Sequence, residues 1–276
     1  MAKKSIVWLA SYPKSGNTWT RIFLANYLFK RATPMPINQV HRLGIGDAVP
    51  RAYAAVANGP FDPSDQQRAL ALRPRVLKGI TNNDADINFV KTHNARTRAF
   101  GVELVPTELS RAVVYIIRHP LDMACSYARH YGLGLPETLE AISRSDNVIV
   151  GDAAAVPQYL GNWSDHVLSW TKQRDFPVLV LRYEDLLTYP TDGFSRLLEL
   201  IGVPVEDARL ERAIRFSSFD EVSRQESDKG FIEKSPAAER FFHSGVAGQW
   251  RELLSEKEAE AFCQRHASVL RAHGYL

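Results

Sequence analysis

Short runs of consecutive apolar residues recur along the chain, separated by longer stretches whose apolar positions have helical spacing. Runs rich in β-branched side chains predict buried strands, and apolar residues at intervals of three and four predict amphipathic helices. The predicted strands are residues 6–10, 87–92, 112–117 and 178–181. The predicted helices are residues 18–30, 121–131, 163–172, 194–201 and 207–216, and a last one after the capping box that begins at Ser255.

Apolar strands that alternate with helices predict an α/β fold of the P-loop type, in which helices flank a central parallel β-sheet on both faces. One domain over residues 1–276 is the simplest account, since no linker, repeat or low-complexity tract divides the chain. Several prolines interrupt the pattern between residues 34 and 86, which predicts short helices and loops there. Residues 132–155 are expected to form a flexible region with one short helix.

Composition narrows the possible partners and the compartment. The 34 basic and 31 acidic side chains give a net charge of +3, which is too small to predict nucleic-acid binding. Cys125 and Cys263 are too few for a disulfide framework and lack metal-ligand spacing, so we interpret both as reduced, buried thiols. The apolar run near the start is too short for a signal peptide, and no stretch is long enough to span a membrane. These features predict a cytoplasmic protein.

Residues 12–19 read Tyr-Pro-Lys-Ser-Gly-Asn-Thr-Trp and join the first predicted strand to the first predicted helix. Backbone N–H groups at a helix start bind phosphate, a glycine allows close approach, and a lysine adds a positive charge. The segment is not a Walker A motif, because Lys14 precedes Gly16 instead of following a glycine. No acidic partner for magnesium is evident after a later strand. The segment is therefore a candidate phosphate loop of another type.

The octapeptide resembles the 5′-phosphosulfate-binding loop of the sulfotransferases that use 3′-phosphoadenosine 5′-phosphosulfate (PAPS), a family with cytosolic and bacterial members. The resemblance implies a P-loop-type fold and a cofactor-binding loop. The family commonly has threonine where Asn17 stands, and asparagine keeps a hydrogen-bond donor there. The implied cofactor-binding residues of this loop are Lys14, Ser15, Gly16, Asn17, Thr18 and Trp19.

A Lys-Thr-His sequence ends the second predicted strand and is similar to the catalytic segment of the same family. The resemblance implies that His93 is the general base, that Lys14 stabilises the departing nucleotide and that Lys91 assists at the sulfuryl oxygens. An imidazole suits proton removal from a hydroxyl near neutral pH. A histidine at this position can also be purely structural.

Further segments resemble the family's nucleotide-binding motifs in the same order. The strand that ends at residue 117 is followed by Arg118 and Ser126, which the resemblance assigns to the 3′-phosphate. Tyr183 would approach the adenine, and Ser218 and Phe219 belong to a segment whose phenylalanine stacks on the base opposite Trp19. Trp19 and Phe219 can instead be core residues.

A glycine-rich loop near the carboxyl end departs from the family pattern. The family usually has Arg-Lys-Gly-x-x-Gly-Asp-Trp, whereas this chain has His243 and Ser244 before Gly245. The resemblance assigns this loop to the 3′-phosphate, so the loss of the Arg-Lys pair predicts weaker binding there. Arg240 and Arg251 are the candidates to compensate.

These segments together imply sulfuryl transfer from PAPS to a hydroxyl of a small molecule, with PAPS as the donor and no metal. Two alternatives stay open: a P-loop small-molecule kinase that uses ATP and magnesium, and a nucleotide-binding module without catalysis. Variable loops usually carry specificity on such folds, so residues 34–86 and 132–155 are expected to face the acceptor. The sequence identifies neither the acceptor nor the oligomeric state.

Overall fold

The computed structural model describes residues 4–276. Nine strands are formed by this part of the chain: β1 Ile6–Ser11, β2 Gly44–Gly46, β3 Asn88–Thr92, β4 Arg98–Ala99, β5 Val102–Glu103, β6 Ser110–Ile117, β7 Val148–Ile149, β8 Gln158–Tyr159 and β9 Val178–Arg182. The helices of the same residues are α1 Asn17–Leu28, α2 Pro50–Val56, α3 Gln66–Thr81, α4 Pro120–Tyr131, α5 Leu135–Ala141, α6 Trp163–Thr171, α7 Tyr183–Thr188, α8 Pro190–Leu200, α9 Asp207–Phe216, α10 Phe219–Lys229, α11 Trp250–Leu253 and α12 Glu256–Ala272, with a 3-10 helix at Ile37–Arg42.

A central parallel sheet has the strand order β2-β3-β1-β6-β9 and is flanked by helices. Within residues 4–276 it is five-stranded, and the predicted α/β fold is confirmed. β1 runs beside β3 with Ile6 opposite Asn88 and Ala10 opposite Thr92. Since both strands run in the same direction, their carboxyl ends meet at one edge of the sheet, where β1 ends at Ser11 and His93 follows β3.

The chain forms two compact units. The first contains the described residues up to Tyr12, Gly44–Tyr115 and Ser143–Val180, and the second contains Pro13–Leu43, Ile116–Ile142 and Leu181–Leu276. In the first, β1 is buried at all six positions, which fits its continuous apolar sequence. In the second, α4 begins with a proline in its first turn, and α12 begins with the predicted capping box.

The predicted strands and helices are all present, with ends that differ by a few residues. The prediction of only short helices between residues 34 and 86 was wrong, because α3 has 16 residues and continues through Pro74. Its buried Leu70, Val76 and Leu77 anchor it against the core, which offsets the backbone hydrogen bond that a proline removes. Cys125 is buried as predicted, but Cys263 is only partly buried, since it lies at the edge of the buried face of α12.

Candidate functional site

The candidate phosphate loop, residues 13–17, has two residues with positive φ just before α1. Lys14 and Gly16 have φ values of +67° and +107°, the left-handed region that glycine adopts without strain. Among the described residues, no side chain caps the start of α1 at Gly16. The first N–H groups of α1 therefore keep the capacity to bind an anion. The side chains of Ser15 and Asn17 are buried in this turn.

Tyr183 packs directly on this loop. A Cβ atom on Gly16 would lie 2.8 Å from Tyr183 Cδ2, so only a glycine fits there. The ring of Tyr183 also lies edge-on to Trp19, at 5.6 Å between centroids, and beneath the guanidinium of Arg118, at 4.4 Å. The structure thus brings together four residues that the sequence assigned to the nucleotide.

The ammonium group of Lys14 lies between two rings of the second unit. Its Nζ is 3.4 Å from His130 Nδ1 and 3.6 Å from the centroid of the Phe241 ring. Nearby on α1, the Thr18 hydroxyl donates to a carboxylate oxygen of Glu233 at 3.2 Å. Neither His130 nor Glu233 was predicted to lie here.

Arg118 is a buried cation whose hydrogen bonds go to neutral oxygens. It is 6% exposed, and its Nη1 and Nη2 donate to the carbonyl oxygens of Lys14 and Val246 at 3.2 and 3.3 Å. Its Nε is buried and has no hydrogen-bond partner among residues 4–276. A buried donor without an acceptor is costly, so this guanidinium is suited to receive an anion.

Phe219 and Gly245 meet as closely as Gly16 and Tyr183 do. Gly245 has a φ of +64°, and a Cβ atom there would lie 2.4 Å from Phe219 Cδ2. The glycine therefore packs on the face of the Phe219 ring. Ser218 caps α10, because its hydroxyl accepts from the backbone N–H of Glu221 at 3.3 Å.

The remaining candidates for the 3′-phosphate lie on α4 and on the glycine-rich loop. Ser126 is half-buried on α4, and Arg129 follows it by three residues on the same helix. Arg129 Nη2 donates to Gln249 Oε1 of the loop at 3.3 Å. His243 is exposed and Ser244 is half-buried. Of the two arginines expected to compensate, Arg240 donates to Ser227 Oγ at 3.4 Å.

His93 follows β3 and is held by the end of β1. Its Nδ1 lies 2.9 Å from the carbonyl oxygen of Ser11 and 3.3 Å from the hydroxyl of the same residue. A carbonyl oxygen only accepts hydrogen bonds, so Nδ1 carries the proton. The neutral imidazole consequently has its lone pair on Nε2, which is the form that a general base requires.

His166 and Tyr115 hold the backbone of His93 from within the core. His166 Nε2 donates to the His93 carbonyl oxygen at 3.0 Å, and its Nδ1 accepts from the Tyr115 hydroxyl at 2.9 Å. Burial lowers the pKa of His166 to about 4, which keeps this imidazole neutral at pH 7. The two hydrogen bonds therefore fix its tautomer.

A buried carboxylate supports the residues on either side of His93. Asp47 Oδ2 accepts from Arg73 Nη2 at 2.6 Å, from the Thr92 hydroxyl at 2.7 Å and from Asn94 Nδ2 at 2.9 Å. Asp47 is 1% exposed and Arg73 is 3% exposed. The ion pair therefore ties β2 and α3 to the end of β3.

Lys91 lines a cleft of about 310 Å³ in the first unit. The cleft wall consists largely of small side chains and one amide: Gly46, Asp47, Ala48, Val49, Ala154, Ala155 and Gln158. The two segments that we expect to face the acceptor, residues 34–86 and 132–155, thus both contribute to the cleft wall. Tyr53 and Trp163 are both buried core residues.

Among residues 4–276, no group of three or more histidine, cysteine, aspartate or glutamate side chains is arranged to hold a metal ion. None of the helices formed by these residues is long and apolar enough to cross a membrane.

Comparison with known families decides the relationship. The family model described as the sulfotransferase domain matches residues 4–272. The chain belongs to the sulfotransferase family. The enzyme class predicted from the sequence, a sulfotransferase, is confirmed at this level.

Curated relatives match this sulfotransferase over nearly its full length. It is 23% identical to sulfotransferase 1 family member D1 of Mus musculus, over 95% of this chain and 82% of the relative. It is 26% identical to cytosolic sulfotransferase 12 of Arabidopsis thaliana, over 94% of this chain and 75% of the relative.

Solved structures share the fold of this sulfotransferase. Mouse sulfotransferase SULT7A1 complexed with PAP has a TM-score of 0.63 at 20% identity and covers 98% of this chain and 86% of its own. A retinol dehydratase in complex with androsterone and the inactive cofactor PAP has a TM-score of 0.66 at 18% identity, over 98% of this chain and 81% of its own. At these identities the likeness concerns the fold.

Several residues around the candidate site were not found from the sequence. Asp47, Arg73 and His166 act through contacts between distant segments, so no local motif announces them. Arg129 is different, because it lies three residues after Ser126 on a predicted helix. That spacing places both side chains on neighbouring positions of one helix face and could have identified it.

Proposed function

We propose that this sulfotransferase moves the sulfuryl group of PAPS to a hydroxyl of a small molecule, with His93 as the general base. The observation that carries the proposal is the contact between His93 Nδ1 and the Ser11 carbonyl oxygen at 2.9 Å. It supports an imidazole with its lone pair on Nε2, ready to take a proton. The family relationship supplies the type of group that is transferred.

The proposed reaction needs three side chains in defined roles. His93 Nε2 removes the proton of the acceptor hydroxyl while the acceptor oxygen forms a bond to sulfur. The bond between sulfur and the bridging phosphate oxygen breaks, and adenosine 3′,5′-bisphosphate leaves. Lys14 stabilises the negative charge that grows on the bridging oxygen, and Lys91 stabilises the sulfuryl oxygens. Preorganised cations at developing charge are usually the largest source of acceleration.

The residues of the second unit fit an adenosine nucleotide that carries phosphate groups on the 3′ and 5′ positions of its ribose. The uncapped start of α1 suits the 5′-phosphosulfate, and the buried Arg118 Nε suits the 3′-phosphate. Trp19, Tyr183 and Phe219 offer aromatic surface for the base. We infer PAPS as donor from this donor set and from the structures of relatives that contain PAP.

The acceptor is proposed to be a small molecule that enters the cleft beside Lys91. Small side chains line much of this cleft, and Gln158 and Asp47 add polar atoms. The solved relatives include complexes with androsterone and with retinol, both hydroxyl-bearing molecules. No nucleic-acid partner and no membrane span are expected, and the cytoplasmic location and single domain stay predictions.

The decisive experiment follows sulfur from labelled PAPS into a collection of phenols, alcohols and a fractionated metabolite extract, with and without a magnesium chelator. We expect a labelled sulfate ester that forms without magnesium. The His93→Ala variant should lose activity by roughly 10²- to 10⁴-fold while its affinity for adenosine 3′,5′-bisphosphate changes less than about twofold. His41→Ala is the matched control, because His41 is exposed and bonds only locally to the Asn38 carbonyl.

Three results would contradict the proposal in different ways. Labelled phosphate transfer from ATP that requires magnesium would favour the kinase. Nucleotide binding without turnover of any acceptor would favour the module without catalysis. Equal loss of turnover and of nucleotide affinity in His93→Ala would make His93 a structural residue.

A further inference from the structure

The glycine-rich loop of this chain lacks the Arg-Lys pair of the family pattern, and the structure shows which groups stand near it. Partial desolvation and the charge of Arg129 lower the pKa of His243 below its ordinary value of 6.5, so the imidazole that replaces one basic residue is mostly neutral at pH 7. Ser244 carries no charge. The positive charge for a 3′-phosphate must come from elsewhere if the proposed function holds.

The glycine-rich loop is hydrogen-bonded to one face of helix α4. Asp122, Ser126 and Arg129 are spaced at i, i+4 and i+7, which places them along the same side of the helix. Asp122 accepts from the backbone N–H groups of Gly248 and Trp250 at 2.6 and 3.2 Å. The loop is therefore fixed on the first turn of α4, and Arg129 lies two turns further along.

A chain of weak hydrogen bonds connects the two arginines across this loop. Arg118 Nη2 donates to the Val246 carbonyl oxygen, and Gln249 Nε2 donates to the same oxygen, each at 3.3 Å. Gln249 Oε1 in turn accepts from Arg129 Nη2 at 3.3 Å. All three distances exceed the usual value of about 2.9–3.0 Å for such bonds, so stronger acceptors can replace them.

Among residues 4–276, no carboxylate accepts a hydrogen bond from either guanidinium. Their hydrogen bonds go to neutral oxygens, and Arg118 Nε has no partner among residues 4–276. Burial is the main cause that lowers the pKa of Arg129, and the charge of Arg118 lowers it further, while Cys125 and Asp122 oppose the shift. A phosphate dianion would bind both groups and relieve their repulsion.

We propose that Arg129 binds the 3′-phosphate of the nucleotide together with Arg118, and replaces the Arg-Lys pair that His243 and Ser244 displace. This inference rests on the proposed function, because it concerns the same nucleotide. It also replaces the expectation that Arg240 or Arg251 compensates for the missing Arg-Lys pair. Arg240 is turned to Ser227, and the guanidinium of Arg251 lies 4.6 Å from the centroid of the Trp250 ring.

Calorimetric titration with two nucleotides separates this role from general damage. Adenosine 3′,5′-bisphosphate carries the 3′-phosphate, and adenosine 5′-monophosphate lacks it. We expect Arg129→Gln to weaken binding of the bisphosphate by roughly ten- to one hundredfold, since a charge-assisted hydrogen bond is lost. Binding of the monophosphate should change less than about twofold. Arg129→Lys should lose less affinity than Arg129→Gln, because it keeps the charge without the planar fork.

Arg144→Gln is the matched control, because Arg144 is exposed and paired with Asp146. Equal losses for both nucleotides in Arg129→Gln would overturn the assignment, as would no loss, or a larger selective loss in Arg240→Gln or Arg251→Gln. If neither Arg129 variant folds, Arg129 is structural and the assignment fails as well. Failure of the wild-type protein to bind the bisphosphate would instead reject the proposed function.

Discussion

Two groups of residues differ in how fully the protein satisfies their hydrogen-bonding atoms: those that hold His93 and those that surround Arg118. Asp47 Oδ2 accepts three hydrogen bonds between 2.6 and 2.9 Å, and His166 donates to the His93 backbone at 3.0 Å. The bonds of Arg118 and Arg129 range from 3.2 to 3.3 Å, and one buried donor of Arg118 has no partner within residues 4–276. The first group is satisfied by the protein itself, whereas the second retains capacity for an anion.

This difference matches the work that we propose for each group. A general base must keep one orientation through every cycle, so its supporting shell should be complete before substrate binds. A site that binds and releases a charged nucleotide must exchange weak internal bonds for stronger bonds to phosphate. The comparison can be tested by changes that act on stability in the first group and on binding in the second.

The largest stability effect is expected at Asp47. Asp47→Ala leaves the buried Arg73 without its counter-ion and removes the acceptor of Thr92 and Asn94. Loss of one partner of a buried ion pair costs about 3–5 kcal/mol, so the free energy of unfolding in urea should fall by that amount. Asp146→Ala, which removes an exposed carboxylate paired with Arg144, should give no measurable change. Equal effects of the two changes would contradict the buried network.

His166 gives the first group a dependence on pH. The unfolded imidazole has a pKa near 6.5, whereas burial lowers the folded value to about 4. Between these values only the unfolded state binds the proton, so stability is complete above pH 6.5 and falls as the pH drops towards 4. The loss amounts to about 3 kcal/mol by pH 4. Urea unfolding at pH 8, 6 and 5 measures it.

The variant His166→Gln isolates this contribution from that of other groups, including His119, whose pKa burial also lowers to about 4. At pH 8 the variant should be less stable than the wild type, because the bonds to Tyr115 and to the His93 carbonyl are weakened. As the pH falls to 5, the gap should narrow by about 2 kcal/mol. A gap that stays constant with pH would show that His166 does not titrate between the two states.

The two groups also differ in how much the sequence could predict. Lys14, Arg118 and His93 stand in local motifs beside predicted strands, and the structure places each at the end of a strand or in the loop that follows. The Asp47 network joins residues 26, 45 and 47 positions apart in the chain, so no local pattern contains it. Pro74 also made a long helix α3 hard to predict, and α3 carries Arg73, the ion-pair partner of Asp47. Long-range pairing of single polar side chains is what a single sequence leaves undetermined.

The smallest of these effects is expected at Gly245, in the second group. Gly245→Ala would place a methyl group 2.4 Å from the Phe219 ring at a φ of +64°, so the ring must move. Strain of this kind costs about 1–3 kcal/mol. Displacement of a stacking ring should weaken binding of adenosine 3′,5′-bisphosphate by about tenfold, given roughly 1–3 kcal/mol for base stacking.

Gly202→Ala is the matched control, because Gly202 has a φ of +71° with open space around its Cβ position. Both variants then carry similar backbone strain, and only the first disturbs Phe219. If calorimetry finds equal affinity in the two variants, Phe219 is a core residue and does not contact the base. If only Gly245→Ala loses affinity, nucleotide binding by the second group depends on the placement of its side chains and not on the stability of the loop.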